Sequence, residues 1–291
     1  MKICAIILAA GKGTRMKSVK PKVLHTVCGL SLVERTVRAV SKAGINSSVV
    51  VVGYGKEEVE SELSKVSTEI SSNIKTAYQA EQNGTGHAAK IAVDSLVSNF
   101  SADFDKVLIL PGDMPLVSHE QIKEVLSKSN SKLTLVSTKL DDPFGYGRII
   151  KDKDGVLQKI VEQKDASATE KKVNEVNASI YLVDLSFLKV ALDKITPNNA
   201  QGEYYLTDIV EIAKNESIKA DAICVAPASS VMGANSQSQL RALEKIRREQ
   251  IVEKFMAKGV EFEDSVTAYI DEDVQIASDP FIGASLSLIH V

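Results

Sequence analysis

Cysteine is scarce in this sequence, and long apolar runs are absent. The three cysteines, Cys4, Cys28 and Cys224, are far apart and have neither CxxC nor His/Cys spacing. They form no recognisable disulfide framework or zinc motif, and we interpret them as small core residues. No apolar run reaches the roughly 18–20 residues of a membrane span, and Met1-Lys2 leads straight into a short strand rather than a signal-peptide layout. We therefore expect a cytoplasmic protein with no membrane partner.

The sequence also lacks an excess of positive charge. Its 291 residues carry a formal net charge of −3, with both signs spread along the chain. Nucleic-acid-binding proteins usually carry a basic surface, so nucleic acid is not an expected partner. With 44% hydrophobic residues, the chain has enough apolar material for one large or two ordinary domains.

Short β-branched runs alternate with amphipathic stretches over the first two thirds of the chain. This alternation predicts βαβ units, and hence an α/β fold with a Rossmann-like, mostly parallel sheet. Two capping boxes, Ser31 with Glu34 and Ser118 with Gln121, predict helices that run through about Lys42 and Lys128. The predicted strands are residues 3–8, 48–53, 106–110, 133–138 and 178–183.

The loop after the first predicted strand reads Leu8-Ala-Ala-Gly-Lys-Gly-Thr-Arg15. Its small residues let backbone N–H groups approach an anion, and its cations would neutralise that anion. The loop lacks the third glycine of a dinucleotide fingerprint, because Met16 stands there, and it lacks the Gly-Lys-Ser/Thr ending of a P-loop. By itself it predicts either a phosphate loop of another kind or a tight strand-to-helix turn. Because ligands of open parallel sheets lie beyond the carboxyl ends of the strands, residues 11–15 and 111–113 point to one site.

The composition changes near residue 236. Residues 237–258 are highly charged, with apolar residues at helical spacing, which predicts one long helix that ends at Gly259. Beyond it apolar residues recur every six positions, which favours a left-handed parallel β-helix over an ordinary hairpin with chance spacing. The predicted organisation is a catalytic domain at 1–235, a linker helix at 236–259 and the start of a β-helix at 260–291. The repeating positions are Ile270, Ile276, Ile282 and Leu288, with Ala268, Val274, Pro280 and Leu286 as a second row.

Seven motifs along the chain together resemble the uridylyltransferase half of the bifunctional N-acetylglucosamine-1-phosphate uridylyltransferase and glucosamine-1-phosphate acetyltransferase family. They occur in the family's order and cover residues 3 to about 260. The motifs are Leu8-Ala-Ala-Gly-Lys-Gly-Thr-Arg-Met16, Pro21-Lys-Val-Leu-His25, Gln79-Ala-Glu-Gln-Asn-Gly-Thr-Gly-His87, Gly112-Asp-Met-Pro115, Gly145-Tyr-Gly-Arg-Ile149, Val161-Glu-Gln-Lys-Asp165 and Asn198-Asn-Ala-Gln-Gly-Glu-Tyr-Tyr-Leu-Thr-Asp208.

The resemblance implies Mg²⁺-dependent uridylyl transfer from UTP to N-acetylglucosamine 1-phosphate, which yields UDP-N-acetylglucosamine and pyrophosphate. It implies catalytic roles for Arg15, Lys22 and Asp113, with Mg²⁺ held by Asp113 and Asn235. From the residues alone, Asp113 is equally well a turn residue and Asn235 a helix cap. A sugar phosphate is largely dianionic at pH 7 and needs no protein base, so we expect His25 and His87 to pack or cap.

The resemblance also implies the substrate-binding positions. A glutamine at position 79 offers donors and an acceptor to the imide edge of uracil, whereas Tyr204 and Tyr205 are expected to pack near the sugar. The implied substrate-binding residues are Leu8, Ala9, Ala10, Gly11, Lys22, Gln79, Gly84, Thr85, Pro111, Gly112, Asp113, Gly147, Glu162, Asn177 and Asn235.

Three features depart from the family's pattern. Ser179 stands where glycine is common, which bears on sugar specificity and leaves a related sugar-1-phosphate nucleotidyltransferase with another sugar or nucleotide as the alternative. Pro111 removes a backbone N–H before Gly112. The hexad repeat spans only about one coil, so we expect neither acetyltransferase activity nor the family's full trimer contacts. A hexapeptide-repeat acyltransferase would need a catalytic histidine between coils, and this region offers only His290.

Overall fold

A computed structural model describes residues 1–100, 103–277 and 280–289, so His290 lies outside the described residues. The strands are β1 (Ile3–Leu8), β2 (Thr26–Val27), β3 (Leu30–Ser31), β4 (Ser47–Val52), β5 (Asn73–Tyr78), β6 (Lys106–Pro111), β7 (Leu133–Lys139), β8 (Arg148–Lys151), β9 (Leu157–Val161), β10 (Glu175–Asp184), β11 (Ala220–Cys224), β12 (Glu261–Phe262), β13 (Tyr269–Ile270), β14 (Phe281–Ile282) and β15 (Ser287–Leu288). The helices are α1 (Leu32–Lys42), α2 (Lys56–Glu69), α3 (Thr85–Asn99), α4 (His119–Lys128), α5 (Leu185–Lys194), α6 (Ile209–Asn215) and α7 (Gln237–Met256).

The central sheet has the order β11-β7-β10-β6-β1-β4-β5, with β8 and β9 attached beside β10. The strands β6, β1, β4 and β5 are parallel, and so are β7 and β11. The predicted α/β class is confirmed, but the sheet is mixed because β10 runs antiparallel to both β6 and β7. The chain reaches β10 from the β8–β9 hairpin rather than through a crossover helix, and a parallel neighbour would require such a crossover.

Helices cover both faces of this sheet. Along β1 the side chains alternate, so that Cys4 and Ile6 belong to one core and Ala5 and Ile7 to the other. All four side chains are completely buried. Strand β1 therefore lies at the centre of the fold, and its carboxyl end delivers residues 8–15 to the sheet edge.

The predicted capping boxes are present. Ser31 and Glu34 cap α1, and Ser118 and Gln121 cap α4. The predicted linker helix is α7; its N-cap is Ser236, whose hydroxyl accepts from the backbone N–H of Gln239. The cap interpretation of Asn235 is therefore wrong by one residue. Among the described residues, no helix is both long and apolar enough to cross a membrane.

The cysteines divide between the core and the surface. Cys4 and Cys28 are buried, as predicted. Cys224 is exposed, so its prediction as a core residue is wrong. It is the last residue of β11, which pairs with β7 on one side only, at the edge of the sheet.

The residues after α7 pack on the N-terminal part of the chain in a third core, which includes Val27 and Leu32. This core joins Leu240, Ile251 and Phe255 of α7 to Ile270 and Ile282. Strands β13 and β15 pair in parallel, with Tyr269 opposite Ser287 and Ile270 opposite Leu288. The partners are 18 residues apart, which equals three hexads of the apolar repeat. Strands β12 and β14 form a second parallel pair.

Candidate active site

A cavity of about 470 Å³ lies beyond the carboxyl ends of β1 and β6. This is where a ligand is expected in an open α/β sheet. It is lined by most of the predicted substrate-binding residues: Leu8, Ala9, Ala10, Gly11, Lys22, Gln79, Gly84, Thr85, Pro111, Asp113 and Glu162. Arg15, Gly112, Gly147, Asn177 and Asn235 are not among its lining residues. Gly112 follows β6 and its N–H donates to the carbonyl of Leu8 at 2.9 Å; the positions of the other four are described below.

Hydrogen bonds fix the loop after β1 to neighbouring segments, whereas its Gly11 borders open space. The N–H of Ala9 donates to the carbonyl of Val51 at 2.9 Å, and Gln82 Nε2 donates to the carbonyl of Ala10 at 2.9 Å. A Cβ atom on Gly11 would meet no protein atom within 4 Å. Packing within the described residues therefore does not require glycine here, whereas an approaching ligand would benefit from the open backbone.

Lys22 joins the two residues predicted to hold a metal. Its ammonium forms an ion pair with Asp113 Oδ2 and donates to Asn235 Oδ1 at 2.7 Å. The side chains of Lys22 and Asp113 are only 13% and 16% exposed. A partly desolvated ion pair of this kind is held more tightly than one at the surface.

Two glycines allow this close approach. Gly13 has φ of +65°, and a Cβ there would lie 2.6 Å from Lys22 Cβ. A Cβ on Gly233 would lie 3.0 Å from Asp113 Oδ1. The carbonyl of Asp113 also accepts from Ala234 N–H at 3.0 Å, which fixes the segment before α7 against the end of β6.

Arg15 lies beside this group without joining it. It is exposed in the short turn Thr14–Met16 and makes no hydrogen bond or ion pair within the described part of the chain. Burial and Asp113 raise the pKa of Tyr146, while Arg15 opposes them. The hydroxyl of Tyr146, a residue to which the sequence reading gave no role, is buried without a partner among the described residues.

Gln79 is buried at the end of β5. Its Nε2 donates to the carbonyl of Gly84 at 3.2 Å and lies 3.3 Å from His87 Nδ1. Its Oε1 makes no hydrogen bond within the described residues, and Gln79 lines the cavity. Gly84 has φ of +102°, and a Cβ there would lie 2.5 Å from the carbonyl oxygen of Tyr204. Gln79 therefore presents an acceptor on this side of the cavity.

Residues predicted to contact a sugar lie at the opposite side. A Cβ on Gly147 would be 3.1 Å from Glu162 Oε1, and the carbonyl of Gly147 accepts from Asn177 N–H at 2.9 Å. Burial raises the pKa of Glu162. The amide of Asn177 is engaged within the protein, because Oδ1 accepts from Ser179 N–H at 3.0 Å and Nδ2 donates to the Tyr181 hydroxyl at 2.6 Å.

The cavity is also lined by residues outside the implied substrate-binding set, of which only Ser179 and Tyr205 were expected near the sugar. Half of them belong to the Asn198–Asp208 motif, in which only Tyr204 and Tyr205 were expected near the sugar. Tyr205 is buried, as expected for a packing residue. The additional lining residues are Val23, Gln82, Ala88, Ser179, Tyr181, Gln201, Glu203, Tyr205, Leu206 and Thr207.

The oxygens of Asp113 and Asn235 suit a divalent cation. Carboxylate and amide oxygens are ligands that Mg²⁺ accepts, and Mg²⁺ usually keeps several water or phosphate oxygens as well. A cation, the ammonium of Lys22, already contacts both side chains. The described residues contain no cluster of three or more His, Cys, Asp or Glu able to hold a metal. The remaining ligands of a metal here would therefore come from water and phosphate.

An α/β sheet with a cavity at the carboxyl ends of its strands is typical of the α/β proteins that bind ligands there, nucleotide-binding proteins among them. The family model of the MobA-like NTP transferase domain matches residues 5–258. The chain therefore belongs to the MobA-like NTP transferase family.

Curated relatives agree with the family recognised from the motifs. The chain is 44% identical over 283 residues to the bifunctional protein GlmU of Caldanaerobacter subterraneus subsp. tengcongensis, a match that covers 96% of this chain and 59% of the relative. It is 41% identical over 285 residues to the bifunctional protein GlmU of Clostridioides difficile, with 97% and 60% covered. The chain thus spans about three fifths of the length of these relatives.

A solved structure from Bacillus anthracis shares the fold. It is provisionally assigned as a glucose-1-phosphate thymidylyltransferase and contains sucrose. The match has a TM-score of 0.66 at 19% identity and covers 84% of this chain and 94% of the other.

Proposed function

We propose that this chain transfers a uridylyl group from UTP to N-acetylglucosamine 1-phosphate in a Mg²⁺-dependent reaction. The observation that carries the proposal is the meeting of Lys22, Asp113 and Asn235 beside the open loop of residues 8–11, at the strand ends of an NTP transferase fold. The seven motifs and the similarity to bifunctional GlmU proteins support the choice of nucleotide and sugar.

The proposed reaction is an in-line displacement. A phosphate oxygen of the sugar phosphate forms a bond to the α-phosphorus, and the bond from that phosphorus to the bridging oxygen breaks. The electron pair leaves with pyrophosphate, and no proton need be transferred because the nucleophile is already anionic. Mg²⁺ held by Asp113 and Asn235 would supply neutralisation of the triphosphate charge.

The chain's own residues position the substrates. Backbone N–H groups of Ala10 and Gly11 face the nucleotide, and Lys22 and Arg15 neutralise charge that builds on the departing pyrophosphate. The acceptor oxygen of Gln79 matches the N3–H donor of uracil. At the other side of the cavity, Glu162 is poised to accept from sugar hydroxyls.

The assay that tests this proposal measures pyrophosphate release. The chain is incubated with UTP, N-acetylglucosamine 1-phosphate and Mg²⁺, and the sugar nucleotide is identified by mass. We expect pyrophosphate and UDP-N-acetylglucosamine in equal amounts. The absence of release above a protein-free control, with EDTA as a second control, would rule the proposal out.

Gln79 is predicted to select the base. Its Oε1 can accept from N3–H of uracil, whereas cytosine presents an acceptor at that position. Gln79→Ala should raise KM for UTP by about tenfold, the size of one lost hydrogen bond, and should reduce the preference for UTP over CTP. Steady-state kinetics with both nucleotides measure this. The exposed Gln250→Ala is the matched control, and an unchanged UTP/CTP ratio in Gln79→Ala would contradict the assignment.

A related enzyme with another sugar phosphate is the second candidate, and Ser179 is the observation that favours it. Ser179 lines the cavity with φ of +58°, at a bulge in β10 where Asn177 and Tyr181 flank an interrupted ladder. This backbone region favours glycine. The serine side chain therefore occupies space that glycine would leave to the substrate.

Ser179→Gly is predicted to change sugar preference. It should raise the ratio of kcat/KM for N-acetylglucosamine 1-phosphate over glucose 1-phosphate by about tenfold, because small changes in pocket volume have effects of this size. Ser217→Gly is the matched control, since Ser217 also has positive φ, +57°, but lies outside the cavity. A ratio that does not move in Ser179→Gly would show that position 179 does not set specificity.

We also propose that residues 260–291 begin a left-handed parallel β-helix after a catalytic domain at 1–235 and the linker helix. The parallel pairing of β13 with β15 supports this, because its offset of 18 residues equals one coil of three hexads. The burial of Ile270 and Ile282 supports an inward apolar row.

A further inference from the structure

We propose that the ammonium of Lys22 and a divalent cation compete for the same two oxygens, so that Lys22 serves as the counter-ion of the metal site in the free protein. This inference rests on the proposed function for the identity of the metal ligands. It adds a second role to Lys22: the residue holds the site closed to metal until a nucleotide arrives.

The geometry places one cation where the other would bind. Lys22 Nζ contacts Asp113 Oδ2 and lies 2.7 Å from Asn235 Oδ1. A divalent ion ligated by both oxygens would lie about 2 Å from each, which overlaps the position of the ammonium. The two cations cannot occupy this place together, for reasons of both space and charge.

The charge balance explains when each cation is favoured. Asp113 and the ammonium form a neutral pair, whereas adding a divalent ion beside Lys22 leaves an excess of positive charge in a poorly exposed site. A triphosphate brings enough negative charge to hold both cations. The displaced ammonium would then pair with phosphate oxygens, so metal and nucleotide should each raise the affinity of the other.

The chain allows Lys22 to move without moving its backbone. Lys22 begins the turn Lys22–Leu24 and is packed at its Cβ against Gly13. Its Cγ and Cδ also lie close to Gly13, and the torsions of its four-carbon stem allow the ammonium to be redirected. The motion therefore requires only a change of side-chain rotamer at the mouth of the cavity.

Metal binding to the free chain tests the competition. Mn²⁺ is titrated without nucleotide or sugar and followed by calorimetry and by its paramagnetic resonance signal. We expect Lys22→Met to bind Mn²⁺ at least about tenfold more tightly than the unchanged chain, because the competing charge is gone. Lys22→Arg keeps the charge and should bind Mn²⁺ as weakly as the unchanged chain. Asp113→Asn should lose the site in all backgrounds.

Lys12→Met is the matched control. Lys12 lies in the loop after β1. Its ammonium is over the ring of Tyr54, 5.4 Å from the ring centre, rather than at Asp113. Its removal should leave Mn²⁺ affinity within about twofold of the unchanged chain. If Lys22→Met does not tighten Mn²⁺ binding, or if Lys12→Met and Lys22→Arg tighten it equally, the competition is refuted. Thermal melts of each variant verify that it is folded.

A second titration measures the coupling to nucleotide. With a non-cleavable α,β-methylene analogue of UTP, the affinity for Mn²⁺ should rise more in the unchanged chain than in Lys22→Met. An equal rise in both proteins would refute the proposed displacement. Because neither titration includes the sugar phosphate or turnover, a failed pyrophosphate assay and a failed competition remain separate outcomes.

Discussion

Replacing Asp113 with asparagine is expected to lower the rate of pyrophosphate release by about 1,000-fold. Loss of a fixed charge at a site of charge neutralisation has effects of this order. The substitution preserves the shape of the side chain but removes its negative charge. It leaves Lys22 without its ion-pair partner and the proposed metal without its carboxylate ligand. The measurement is kcat/KM for UTP at saturating sugar phosphate and several Mg²⁺ concentrations.

The control for Asp113 is an aspartate at the other end of strand β6. Asp105 precedes β6, accepts from Lys2 N–H at 2.6 Å and is largely exposed. Asp105→Asn should retain activity within about twofold, since exposed ion pairs contribute little. If Asp113→Asn kept more than a tenth of the activity while Asp105→Asn behaved as the unchanged chain, the carboxylate would not be central to the chemistry.

The elements that the sequence predicted are those specified by local patterns. The strands ending at Leu8 and Pro111 are apolar runs followed by small or turn-forming residues, and the starts of α1 and α4 are specified by capping boxes that span four residues. Each of these signals is contained within one short stretch of chain. Tertiary packing did not need to be known to find them.

The direction of β10 could not be predicted in the same way. Its apolar residues fit a parallel or an antiparallel strand equally well. Because both faces of β10 are buried, it lacks the alternation of apolar and polar residues that is typical of antiparallel strands with one face in solvent. Direction depends on how the chain enters the strand. Here it enters from the β8–β9 hairpin, whose short strands were not predicted.

The site was predicted as a set of residues but not as a set of contacts. Lys22 and Asn235 are 213 residues apart, and no local pattern indicates that they touch. The roles of Gly13 and Gly233 are also invisible in the sequence, because a glycine that admits a neighbouring side chain looks like a glycine in any loop. The resemblance identified which residues belong to the site, and the structure shows how they are arranged.

The second large effect concerns stability, and it is predicted for Glu272. This carboxylate accepts from Arg35 at 2.9 Å and from Arg247 Nε at 2.8 Å, with a further contact to the other end of the Arg247 guanidinium. Arg35 belongs to α1 and Arg247 to α7. The Glu272 backbone N–H also donates to the carbonyl of Cys28 at 3.0 Å. Glu272 thus joins the segment after α7 to helices α1 and α7.

Glu272→Gln is expected to lower the free energy of unfolding by about 3 kcal/mol at pH 7. Burial raises the pKa of Glu272, but the hydrogen bonds and charges of the two arginines together outweigh it and lower this pKa from 4.5 to about 2. A pKa difference of this size between the folded and unfolded states contributes about 3 kcal/mol to the free energy of unfolding. Removal of one partner of a buried ion pair lowers stability by about 3–5 kcal/mol. Urea denaturation followed by circular dichroism measures the change.

The pH dependence separates this ion pair from a general packing defect. Because the folded pKa is below the unfolded value, the stabilisation is fully present above about pH 4.5 and is lost as the pH falls towards 2. The unchanged chain and Glu272→Gln should therefore converge in stability over that range. Glu124→Gln, which removes an exposed pair with Lys128, should change stability by less than about 0.5 kcal/mol at any pH. If Glu272→Gln were less stable than the unchanged chain by the same amount at low pH, the lost stability would come from packing around position 272 rather than from its charge.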